Sequence, residues 1–178
     1  MGGRGKMNKT KGSQHMYKGD YHLAVREADV FYDAACMCET KHLMSDGTSG
    51  HLYAFVVNLS FACEVYMKAI MIYSSEKNEF SGGHELNKLF EMLPQTVKDV
   101  VKAEFEQVPR VVKKGEIRNL DTFLKTHKKA FETFRYAFQE REKGKNLVVY
   151  STDLGTFANS LKKYCENNLK EKKRDEQA

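Results

Sequence analysis

Apolar residues recur along this chain at helical spacing, and almost nowhere in strict alternation. Ala24, Ala28, Phe31, Ala35 and Cys38 line one face of a helix predicted from about 21 to 42. A second helix is predicted over 51–74. One side carries Leu52, Phe55, Val56, Leu59, Cys63, Tyr66, Met67 and Ile70, and the other carries Phe61, Val65 and Ile72. A helix apolar on both sides belongs in the middle of a bundle. Leu86, Leu89, Phe90 and Leu93 give a short helix that Pro94 ends. The segment 96–107 follows, with Val97, Val100, Val101 and Phe105 inward. Leu120, Leu124, His127, Phe131, Phe134 and Phe138 predict one long helix over 119–143. The last helix, opened by Ser151 or Asp153 as N-cap, buries Leu154, Phe157, Ala158, Leu161, Cys165 and Leu169. No strand of period two and no internal repeat stands out. The pattern predicts an all-α, antiparallel bundle of four to five main helices.

At 178 residues the chain is most simply one domain. The bundle is expected over 20–170, between a basic leader at 1–19, without periodicity and expected to be disordered, and a charged tail at 171–178. The segments "SDGTSG", "SSEKNEFSGG" and "VPRVVKKGEI" read as connections. The net charge of +5 belongs to the ends. Residues 1–19 hold Arg4, Lys6, Lys9, Lys11 and Lys18 with no acid, and 162–178 hold six basic and four acidic residues. That leaves 18 basic and 20 acidic residues in the body, or −2. A basic arm can contact phosphates, so nucleic acid stays among the candidate partners. Cys36, Cys38, Cys63 and Cys165 fall in helical apolar patterns without metal-site spacing, so buried reduced thiols and no metal are expected. No signal peptide is read at the N-terminus, and Asn58, Glu64 and Lys68 interrupt the longest apolar run. The expectation is a cytoplasmic protein with no membrane span and no cofactor.

Candidate chemistry sits where polar residues interrupt apolar faces. Glu64 and Lys68 stand four apart on the central helix, in the favourable order for an ion pair. If buried, they must be matched to each other or to a neighbour. In "FETFRYAFQERE", Arg135 lies on the edge of the face made by Phe131, Phe134 and Phe138. Guanidinium stacks on rings and grips carboxylates or phosphates, so Glu64, Glu142 and a ligand phosphate are all open as its partner. His127 sits mid-stripe, where a hydrogen-bonded core histidine and a base are the two readings. His84 is placed near the start of its helix, to cap, to pack or to line a pocket. No Ser-His-Asp pattern, phosphate loop or HExxH motif occurs.

Three blocks in this order, "NLSFACEVYMKAIMIY", "GGHELNKLFEMLP" and "FETFRYAFQE", resemble the HEPN superfamily over roughly residues 49–142. The matching residues are Asn58, Glu64 and Lys68; then Gly83, His84, Leu86, Leu89 and Phe90; then Arg135, Tyr136 and Glu140. The resemblance implies a helical homodimer in a prokaryotic or phage-related defence or toxin–antitoxin setting. Many of its members are metal-independent ribonucleases, with an arginine followed four to six residues later by a histidine. This chain departs from that signature: no histidine follows Arg135, and Arg118 is separated from His127 by eight residues. The expectation is therefore a module that binds RNA, a nucleotide or a protein partner, with Arg135, Tyr136, Glu64, Lys68 and His84 at an interhelical site. The alternatives are a divergent ribonuclease, with Arg135 and His127, His84 or Tyr136 as its candidate catalytic residues, and a purely structural or regulatory partner protein.

Overall fold

A computed structural model describes residues 16–44, 50–108, 119–144 and 147–169, with the side chains of Phe138, Glu140 and Arg141 outside that description. In chain order the elements are β1 (Met16–Lys18), α1 (Tyr21–Leu43), α2 (His51–Ser74), β2 (Glu79–Ser81), α3 (Leu86–Glu91), α4 (Gln95–Gln107), α5 (Leu120–Thr126), α6 (Ala130–Arg135), α7 (Ala137–Glu142) and α8 (Ser151–Asn168). The architecture is all-α in character, with one small sheet.

The centre is α2, because an all-round apolar helix has no face to give to water. It packs against α1, α3, α6, α8 and β2. Fourteen of its residues, from Phe55 to Ile72, are buried. By length and composition it could cross a membrane, but 78% of that stretch is buried by the rest of the chain. Asp20 caps α1 by accepting the N–H groups of His22 and Leu23. Leu154, Phe157, Ala158, Leu161, Cys165 and Leu169 of the last helical segment are buried as expected.

Four expectations need correction. The helix predicted over 119–143 is three short helices, α5 to α7. At its first break Leu86 N–H takes the Lys128 carbonyl at 3.0 Å, while the His127 ring bonds the Phe123 carbonyl and Tyr150 N–H. Tertiary partners thus replace the helical ladder there. Neither Ser151 nor Asp153 caps α8: Tyr150 holds the N-cap position, and Asp153 is buried in the first turn. Val100 is exposed, and so is Cys36, although all four cysteines are thiols as expected. Finally, residues 16–18 of the supposed leader form β1, antiparallel to β2 with Met16, Tyr17 and Lys18 opposite Ser81, Phe80 and Glu79. Three-residue strands are too short to show alternation, and their partners lie far apart in sequence. Residues 1–15, most of "SDGTSG", nearly all of "VPRVVKKGEI" and the tail lie outside the described residues.

Candidate functional site

Two polar centres flank α2. The first forms where α2 meets the segment leading into α3. Glu64 is 1% exposed, and its Oε1 accepts from Lys68 Nζ at 2.7 Å and sits 2.9 Å from His84 Nδ1. Helical spacing places Lys68 one turn beyond Glu64, and the Phe80 ring of β2 lies 5.7 Å from its ammonium. The β1–β2 pairing fixes the strand from which Gly82, Gly83 and His84 depart. Tyr17 rests on Gly82 where a side chain would stand, so glycine permits that close approach. The segment is also anchored from α6: Glu85, the N-cap residue of α3, pairs with Lys88 at 2.8 Å and Lys129 at 3.7 Å.

A half-exposed imidazole held through Nδ1 by a buried carboxylate keeps Nε2 available to solvent or ligand. The same arrangement sets the tautomer and direction of a proton-transferring histidine. His84 is 52% exposed, so a solute can reach it. It is not a helix cap; its side chain turns back to α2. Glu64 Oε2 is buried without a hydrogen-bond partner, as are Ser60 Oγ one turn earlier on α2 and Asn87 Oδ1 on the first turn of α3. Each orphaned atom costs about 1–3 kcal/mol unless water or a ligand serves it.

The second centre is Arg135, at the end of α6. Phe131 meets Phe61 of α2 with ring centroids 5.2 Å apart, and Phe134 meets Tyr53 at 5.9 Å. These contacts run α6 antiparallel to α2, which puts Arg135 at the end of α6 away from Glu64. Its guanidinium lies 5.6 Å from the Phe131 ring centroid and 5.3 Å from that of Tyr136. The side chain is exposed, and Tyr136 is 43% exposed. No hydrogen bond or ion pair joins Arg135 to a carboxylate among the described residues, and the expected convergence with Glu64 and Lys68 does not occur. The rings are what hold this cation: stacking accommodates guanidinium without a counter-charge. Glu140, matched in the resemblance, has its side chain outside the described residues.

His127 belongs to the core. It is buried, Nδ1–H donates to the Phe123 carbonyl at 3.2 Å, and Nε2 accepts Tyr150 N–H at 3.1 Å. Burial pushes its pKa below the usual imidazole value, with the Phe123 hydrogen bond opposing. Both nitrogens are occupied, so the catalytic reading of His127 is overturned.

Sequence reasoning missed a third polar group that ties three helices. Asp29 of α1 accepts from Tyr66 Oη at 2.6 Å and from Lys162 Nζ at 2.8 Å. Burial, then the hydrogen bond to Asp29, pushes the Tyr66 hydroxyl far above its normal pKa. The one available signal was an acid beside the Ala28 stripe. A cavity of about 410 Å³, lined by Tyr21, His22, Arg26, Asp29 and Leu169 among others, opens beside this group. Among the described residues, no cluster of three or more His, Cys, Asp or Glu could hold a metal ion. No family model, curated protein or solved structure matches this chain.

Proposed function

We propose that this chain is a HEPN-like helical binding module that engages RNA or a nucleotide through Arg135 and Tyr136, in a cytoplasmic defence or toxin–antitoxin setting. The observation that carries the reading is the exposed guanidinium lying on two aromatic rings with no described carboxylate to neutralise it. A cation of five donors beside a half-exposed tyrosine offers a phosphate contact and a surface on which a base can stack. Single-stranded RNA presents both groups at once.

The test is a titration of fluorescein-labelled single-stranded RNA followed by anisotropy, with nucleoside triphosphates as competitors. Wild type binds with an affinity that falls as salt rises, and Arg135→Ala weakens binding about tenfold or more while circular dichroism stays unchanged. An Arg135→Ala protein that binds as wild type, or a wild type that binds neither RNA nor nucleotide, overturns the reading.

The Glu64–His84 contact favours a second reading, a metal-independent ribonuclease in which His84 Nε2 takes the proton of a 2′-hydroxyl. RNA incubated in EDTA separates the two. The binding reading expects intact RNA, whereas cleavage lost in both His84→Ala and Glu64→Gln would establish the enzyme.

A further inference from the structure

The outward face of α1 is apolar where a surface helix should be polar. Leu23, Val30 and Met37 are 60%, 66% and 68% exposed, and Met44 continues the line beyond the helix end. Successive members lie seven residues apart, two helical turns with a lag of about 20°, so they form one stripe. That stripe lies about 150° round the helix from the buried line of Ala28 and Ala35. Two charges flank its middle on the same side, Arg26 and Asp33, both exposed and neither in an ion pair among the described residues. Seven residues apart on one helix, they stand about 10 Å from each other along the axis and cannot meet.

We infer that this face docks a second copy of the chain, with α1 packed antiparallel on its counterpart about a two-fold axis through Val30. A two-fold interface must complement itself, residue by residue. Centred on Val30, the operation brings Val30 against its own copy and Leu23 against Met37, each seven residues from the axis. Arg26 lies four residues before Val30 and Asp33 three after it. The two-fold therefore sets each Arg26 beside the other chain's Asp33, within about 1.5 Å of axial register. Because antiparallel two-fold pairing keeps like flanks together, both unmatched charges find a partner and the apolar stripe is covered in the same step. On the opposite flank Glu27 meets Ala34, so no like charges face each other. The helix pair alone is a small interface, below about 1,200 Å², so the dimer is reversible and concentration-dependent. This surface is independent of Arg135 and of any ligand.

Sedimentation velocity across a concentration series tests it, supported by charge reversal. Wild type shifts from monomer to dimer as concentration rises. Val30→Glu, on the axis and at a largely exposed position, remains monomeric and folded. Arg26→Asp and Asp33→Arg each weaken association about tenfold, and the double variant restores it, because only the antiparallel arrangement re-forms the reversed pairs. Val30→Cys cross-links to its copy under mild oxidation in a Cys36→Ser background. A wild type that stays monomeric throughout overturns the proposal. So does a dimer that survives Val30→Glu, or a double variant no better than the singles.

Discussion

His127 and His84 carry the same ring in opposite circumstances. His127 is buried with both nitrogens engaged by backbone groups. His84 is half-exposed with one nitrogen on a buried carboxylate. The first holds α5 to the approach of α8 and has nothing left to offer a ligand. The second holds α2 to the approach of α3 and keeps a nitrogen in reserve. Burial of the partner, and not of the imidazole, marks the residue that can still do chemistry.

Substitutions sharpen this contrast, most severely at the carboxylate. Lys68→Met leaves Glu64 buried with only a half-exposed histidine for company. It should cost about 3 kcal/mol of stability in urea unfolding, because an uncompensated buried charge is far worse than a missing pair. A loss under about 1 kcal/mol would show that water serves Glu64 well enough alone.

Next in size is His127→Ala, which strands Tyr150 N–H and opens a gap beside Phe123. The expected loss is about 2 kcal/mol by the same measurement. Its pH dependence has a definite sign. The folded pKa lies below the unfolded value near 6.5, so the unfolded chain binds the proton more readily. The contribution of His127 is therefore complete above about pH 6.5 and is lost as pH falls through the folded pKa. Between about pH 7 and pH 5.5, wild type should lose more stability than His127→Gln. Parallel curves would contradict the buried neutral ring.

His84→Ala removes a half-exposed partner, and about 1 kcal/mol is expected. Smallest is Arg135→Ala, within about 0.5 kcal/mol, because the side chain stacks at the surface and closes no buried pair.

Much of the fold was legible because one physical signal dominates it. The apolar residues of α2 and the inner lines of α1 and α8 repeat at helical spacing, and those helices are found where that spacing puts them. The breaks near His127 and Tyr136 were not legible, since neither proline nor glycine marks them, and at His127 long-range hydrogen bonds take the place of the helical ladder. The candidate site divided in the same way. Glu64 and Lys68 share one helix, and four-residue spacing announced their pairing. His84 joining them depends on how β2 and α3 fold back, which no local pattern encodes. Arg135 looked as though it needed an acid because its neighbours are apolar. The expectation gave too little weight to those neighbours being aromatic, and so able to hold guanidinium themselves. The outward stripe of α1 was present in the sequence, but it stood out only once the opposite face was seen to be the buried one.

The proposed function divides the labour: the Glu64 cluster is architecture, and Arg135 is the proposed contact with ligand. Titrating labelled single-stranded RNA against Lys68→Met and Arg135→Ala side by side, at a temperature where both are folded, tests it most directly. The account predicts near wild-type affinity for the destabilised Lys68→Met, and a loss of about tenfold or more for the stable Arg135→Ala. The reverse pattern, RNA released by Lys68→Met and retained by Arg135→Ala, would contradict it.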